Sequence, residues 1–69
     1  MAKILLMDPT PEQREELAGA IVERIKLGNR VGDLSEYEKE IVKELYAGRA
    51  VTVGRLHILR EAEERIFGE

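Results

Sequence analysis

Thr10-Pro11-Glu12-Gln13-Arg14-Glu15-Glu16-Leu17-Ala18-Gly19-Ala20-Ile21-Val22-Glu23-Arg24-Ile25-Lys26-Leu27-Gly28-Asn29 is a helix written out with both of its ends. Thr10 is an N-cap residue, and Pro11 stands at the first helical position, where its missing N–H costs nothing. Gln13 completes a capping box with Thr10. Glu12, Glu15 and Glu16 lie in the first turns, where the helix dipole favours negative charge. Leu17, Ala18, Ile21, Val22, Ile25 and Gly28 recur at three- and four-residue spacing and form one apolar face. Gly28-Asn29 then supplies residue types that tolerate a left-handed cap. The spacing predicts helix 1 over residues 11–27.

On the N-terminal side, Ile4-Leu5-Leu6-Met7 is the longest unbroken apolar run, and it ends at Asp8-Pro9-Thr10-Pro11. The two prolines stop any preceding element, because a residue before proline is pushed out of the helical region. Residues 1–9 therefore read as a short extended arm or strand. On the C-terminal side, residues 28–34 read as a loop with two glycines. Ser35 with Glu38, or Asp33 with Glu36, offers the next capping box. Tyr37, Ile41, Val42, Leu45 and Tyr46 form the expected buried stripe of helix 2, over residues 35–47, and Gly48 ends it. A short connection at 48–51 makes helices 2 and 3 spatial neighbours. Thr52 caps helix 3, over residues 52–67, whose stripe is Leu56, Leu59, Ala62, Ile66 and Phe67. Ala50-Val51-Thr52-Val53 is rich in β-branched residues and suits a few extended residues at its start. The expected fold class is all-α: a compact three-helix bundle with a short extended apolar N-terminal arm, in one small domain over 1–69.

Sixty-nine residues bury only about 60 % of the surface their unfolded chain exposes, so such a core needs good packing or outside help. The chain has no cysteine, which removes disulfides and thiolate sites, and His57 is its one histidine. No metal site and no cofactor are expected. Charged residues make up 36 % and hydrophobic ones 43 %, a globular balance rather than a disordered or membrane-spanning one. A cytoplasmic location is the expectation. The single serine, Ser35, is used as a cap, and no glycine-rich phosphate loop occurs. Catalysis and a small-molecule substrate are not expected.

The net charge of −3 is unevenly distributed. Between Arg49 and Arg60 stand Arg49, Arg55, His57 and Arg60 with no acid among them, while acids predominate in the rest of the chain. A local reversal of sign is the usual footprint of a surface that meets something anionic. A helix-turn-helix reading takes helix 2 as the support, Gly48 in the turn and helix 3 as the groove reader. Helical geometry weakens it. At 3.6 residues per turn Arg55 projects away from His57 and Arg60. His57 has Glu61 four residues on, Arg60 has Glu64, and Arg65 follows Glu61, so the patch is locally neutralised. These arginines are expected to pair with acids of helices 1 and 2. Arg55 sits at the edge of the apolar arc, where it either meets an acid of helix 2 or lies in an interface completed by a second chain. Tyr37 and Tyr46 stand away from the arginines, unlike the interleaved aromatics of single-strand binders.

Ile58 widens the apolar arc of helix 3, and Ile4–Met7 adds apolar surface without an evident cover. The expectation is a non-enzymatic protein-protein interaction module, a homodimer acting as an adaptor or regulator. Its interface would use Ile4, Leu5, Leu6, Met7, Arg55, Ile58 and Leu59. The partner is then another copy or a larger protein. A nucleic-acid-binding regulator, with contacts from Arg49, Arg55, His57 and Arg60, is the second expectation.

Overall fold

The computed structural model describes residues 9–68. Three helices follow one another as α1 (Pro11–Leu27), α2 (Glu36–Tyr46) and α3 (Val53–Phe67), with a single 3-10 turn at Val31–Asp33 between the first two. The all-α expectation holds, and no strand occurs among the described residues. The arm residues Ile4, Leu5, Leu6 and Met7 lie outside the described range.

Each helix begins as its sequence dictates. The Gln13 N–H donates to Thr10 Oγ1 at 3.1 Å, and the Gln13 side chain accepts the Thr10 N–H at 2.9 Å. At α2 the box forms on Ser35 and Glu38 rather than on Asp33 and Glu36, with Ser35 N–H donating to Glu38 Oε1 at 2.8 Å. Thr52 caps α3 by accepting the Arg55 N–H at 3.1 Å.

The ends follow one another in kind. After α1, Asn29 N–H reaches the Lys26 carbonyl and Arg30 N–H the Ile25 carbonyl, both at 2.9 Å. This double closure needs a left-handed residue at its centre. Asn29 takes that role with φ 59°, while Gly28 keeps a right-handed backbone. After α2 the same pair of bonds runs from Gly48 N–H to Leu45 and from Arg49 N–H to Glu44, and Gly48 supplies the φ of 81°.

Ala18, Ile21, Val22 and Ile25 of α1 pack with Leu56, Leu59, Ala62 and Ile66 of α3 in the core, which Leu34, Ile41 and Val51 complete. The contact between α1 and α3 is the most extensive of the three. Ala18, Leu59 and Ala62 are wholly enclosed. Val42, Leu45, Ile58 and Phe67 are half-buried against this core.

The stripe expected for α2 needs correction. Tyr37 and Tyr46 are each 61 % exposed, and Glu38 is buried in their place. Nine residues at about 100° each put the two tyrosines on opposite flanks of the helix, so one buried line cannot hold both. The inward line runs through Glu38, Ile41 and Leu45. Leu17 likewise falls at the rim of the α1 face, at 41 % exposure, and Gly28 is exposed.

Two arginines, Arg14 and Arg65, tie elements distant in sequence together. Arg14 donates from Nε to the Val51 carbonyl at 2.6 Å and from Nη1 to the Pro9 carbonyl at 2.8 Å, joining the start of α1 to the α2–α3 connection. Arg65 of α3 grips Glu38 with both terminal nitrogens, at 2.8 and 2.7 Å, and donates to the Asp33 carbonyl at 3.0 Å. The Arg65 guanidinium, aided by the Ser35 N–H, holds the Glu38 carboxyl at about 2 despite its burial.

Candidate functional site

The basic window crosses several distinct settings. Arg49 belongs to the cap that closes α2, and its side chain is exposed. Arg55 reaches from α3 to α2, with Nε 3.0 Å from Glu44 Oε1. An acid of α2 therefore meets this edge cation. The enclosed Glu44 oxygen has no aligned hydrogen-bond donor, so the contact is ionic in character. With both side chains about a third exposed, the pair contributes under about 1 kcal/mol.

His57 Nε2 lies 3.1 Å from Glu61 Oε2, and both side chains are well exposed. Arg60 is exposed, and the expected pairing with Glu64 does not form. Arg65, expected beside Glu61, turns inward to Glu38 instead. Among the described residues neither Arg49 nor Arg60 has a carboxylate within ion-pair distance. The general expectation that these arginines pair with acidic helices holds for Arg55 and not for the other two.

At about 100° per residue, Val53, His57, Arg60, Glu61 and Glu64 share the outer face of α3, and all are exposed. Its N-terminal half is apolar and basic, and its second half is acidic. Pro9, Val53, Leu56, His57 and Arg60 enclose a shallow groove of about 140 Å³ in the first of these halves. Arg14 holds the Pro9 wall in place through the Pro9 carbonyl. Of the other expected interface residues, Ile58 is half-buried and Leu59 is fully enclosed in the core. Ile4, Leu5, Leu6 and Met7 precede the first described residue.

A second concavity, of about 280 Å³, lies on α2. Val31, Val42, Tyr46, Lys39 and Lys43 line it. Lys26 places its ammonium 5.2 Å from the centre of the Tyr46 ring. The sequence does not point to this basin, because apolar spacing places Tyr46 on the buried stripe of helix 2. The signal that would have found it is the half-turn offset between Tyr37 and Tyr46.

Aromatic–arginine contacts do occur, away from the basic window. Arg24 stacks over Phe67 at 4.2 Å from the ring centre, and Arg30 stands at 6.0 Å. They cover the ring at the C-terminal end of α3. Arg24 also binds Glu63 at 3.0 Å.

Among the described residues no three His, Asp or Glu side chains are grouped to hold a metal ion. No described helix is long and apolar enough to cross a membrane. Comparison of the chain with known protein families, with curated proteins and with solved structures finds no match in any of the three.

Proposed function

We propose that this chain is a non-enzymatic helical protein-interaction module that self-associates through the first half of α3 and the apolar N-terminal segment. One observation carries the reading. The groove between Pro9 and Val53, Leu56, His57 and Arg60 is open and part apolar, and Val53 on its edge is 45 % exposed. The run Ile4–Met7 ends two residues before Pro9, with Asp8 between them, and would supply four apolar side chains from a second copy. A domain of this size gains core from self-association that its own chain cannot supply. Ile58, half-buried against the core, and Arg55, tied to Glu44, project from other sides of α3 and fall outside this contact. Leu59 supports it from within the core.

Sedimentation equilibrium at micromolar concentration tests the proposal. The full chain should be a dimer, and both Val53→Glu and removal of residues 1–8 should give monomers that keep their helical circular dichroism. A monomeric full chain rejects it.

A nucleic-acid role draws on a separate observation, the exposed Arg49 and Arg60 without carboxylate partners among the described residues. Glu61 and Glu64 on the same face oppose it, since phosphate neutralisation supplies most such affinity. A gel-shift titration at two salt concentrations with Arg49→Glu/Arg60→Glu decides. Binding that weakens with salt and vanishes in the double variant supports this role, and no binding at low salt rejects it.

A further inference from the structure

We propose that the basin on α2 receives an apolar anchor from an acidic amphipathic segment of another protein, which gives the module a second contact distinct from its self-association. This rests on the interaction-module reading. Its basis is a juxtaposition of shape and charge. Val31 at 43 % and Tyr46 at 61 % exposure are among the large apolar residues that the fold leaves uncovered. They stand around one concavity whose inner wall, Val42, continues into the core. A volume of about 280 Å³ lies just below the usual range for small-molecule sites, roughly 300–1,000 Å³, and suits one or two anchoring side chains.

The charged side chains that line the basin are both lysines. Lys39 and Lys43 line the basin with their stems, and Lys26 stands over the Tyr46 ring. Lysines placed this way bury methylenes and keep the ammonium in water. Their intrachain acids hold them loosely: Glu36 lies 3.9 Å from Lys39 and Glu40 lies 3.8 Å from Lys43, with both glutamates largely in solvent. Exposed pairs of this kind contribute little and are readily exchanged. In an otherwise acidic chain, an apolar floor lined by two lysines, with a third over the Tyr46 ring, complements a segment with apolar residues on one face and carboxylates flanking them. Another copy fits less well through the most exposed large apolar side chain among the described residues. Leu27, 84 % exposed, is preceded by Lys26 and lies three residues from both Arg24 and Arg30. Inserting it would set cations against the lysine rim. A bilayer is a poorer occupant again, because the apolar surface here is concave.

Selection of random peptides of about 16 residues, long enough for helical anchor spacing, against the full chain tests the inference. Enriched sequences should carry Leu, Ile, Phe or Trp flanked by Asp or Glu, and should shift the amide resonances of Val31, Lys39, Val42, Lys43 and Tyr46. Lys39→Glu/Lys43→Glu should weaken them by about tenfold or more, and Tyr46→Ala should weaken them while leaving the circular dichroism unchanged. The inference is overturned by no enrichment, by enriched peptides that are neutral or basic, by resonance shifts that map to the Pro9–Arg60 groove, or by basin shifts that appear on concentrating the protein alone. Equal, lysine-dependent binding to phosphatidylserine–phosphatidylcholine vesicles overturns it in favour of a lipid surface. If the chain sediments as a dimer but no peptide reaches the basin, only this inference falls. If it is monomeric and nothing enriches, the module reading falls as well.

Discussion

Replacing Glu38 by Gln removes one charge from a side chain that serves three elements at once. Its Oε1 accepts the Ser35 N–H that starts α2, and both its oxygens accept from Arg65 of α3, which also binds the Asp33 carbonyl. The Glu38 side chain is 8 % exposed, while that of Arg65 is 51 % exposed. The carboxyl's value falls from 4.5 to about 2, chiefly because the guanidinium donates to it. At about 1.4 kcal/mol per pH unit, that gap corresponds to about 3 kcal/mol of linked stability. Solvent at the Arg65 end lowers the expected effect to about 1–3 kcal/mol. The sign follows from the depressed value. The contribution is fully present above about pH 4.5, where the unfolded chain is already ionised, and is lost as pH falls towards about 2. Urea titrations of the native chain and Glu38→Gln, at pH 7 and in steps down to pH 2, measure it. The difference between the two proteins should be largest near neutrality and shrink between about pH 4.5 and 2. The remaining carboxylates titrate in both proteins and cancel. Parallel curves, offset equally at all pH values, would refute the view that this carboxylate is ionised and clamped in the native state.

Gly48→Ala should lower stability by about 1 kcal/mol in urea melts, because its φ of 81° disfavours any Cβ although the space around it is open. Arg14→Met should lower stability by about 1–3 kcal/mol, since it strips the Val51 carbonyl of its side-chain donor beside the buried Val51. Hydrogen exchange should then quicken first around residues 50–53. Leu59→Ala, at a fully enclosed position, should remove about 2–5 kcal/mol, a large share of the stability of a domain of this size, read as a much lower urea midpoint by circular dichroism.

Helix placement was legible because it depends on signals within a few residues. Thr10 with Gln13, Ser35 with Glu38, and Thr52 each satisfy backbone N–H groups of the turn that follows them. Gly48 and Asn29 supply the left-handed backbone that closes α2 and α1. The face of α2 was less legible. Apolar spacing suggested burying both tyrosines, but a helix of 11 residues presents only a narrow inward line, and that line includes Glu38. Burying a carboxylate is favourable only when a fixed cation meets it, and Arg65 stands 27 residues downstream.

The candidate surfaces divide in the same way. The cationic window Arg49–Arg60 was visible as a run of residues, and so was the choice open to Arg55. Which cation found which acid was not, because it depends on where α2 and α3 cross. The sequence alone determined three helices, the N-caps of α1 and α3 and most of the core residues, since hydrogen-bond satisfaction and apolar periodicity act over one or two turns. Between Ser35/Glu38 and Asp33/Glu36 at the start of α2 the structure chose. Tertiary structure alone decided that Glu38 would be interior and Tyr46 exterior, that Arg14 would anchor the α2–α3 connection, and that a lysine-rimmed basin would open on α2. Each of these depends on groups far apart in the chain, and only packing brings them within reach of one another.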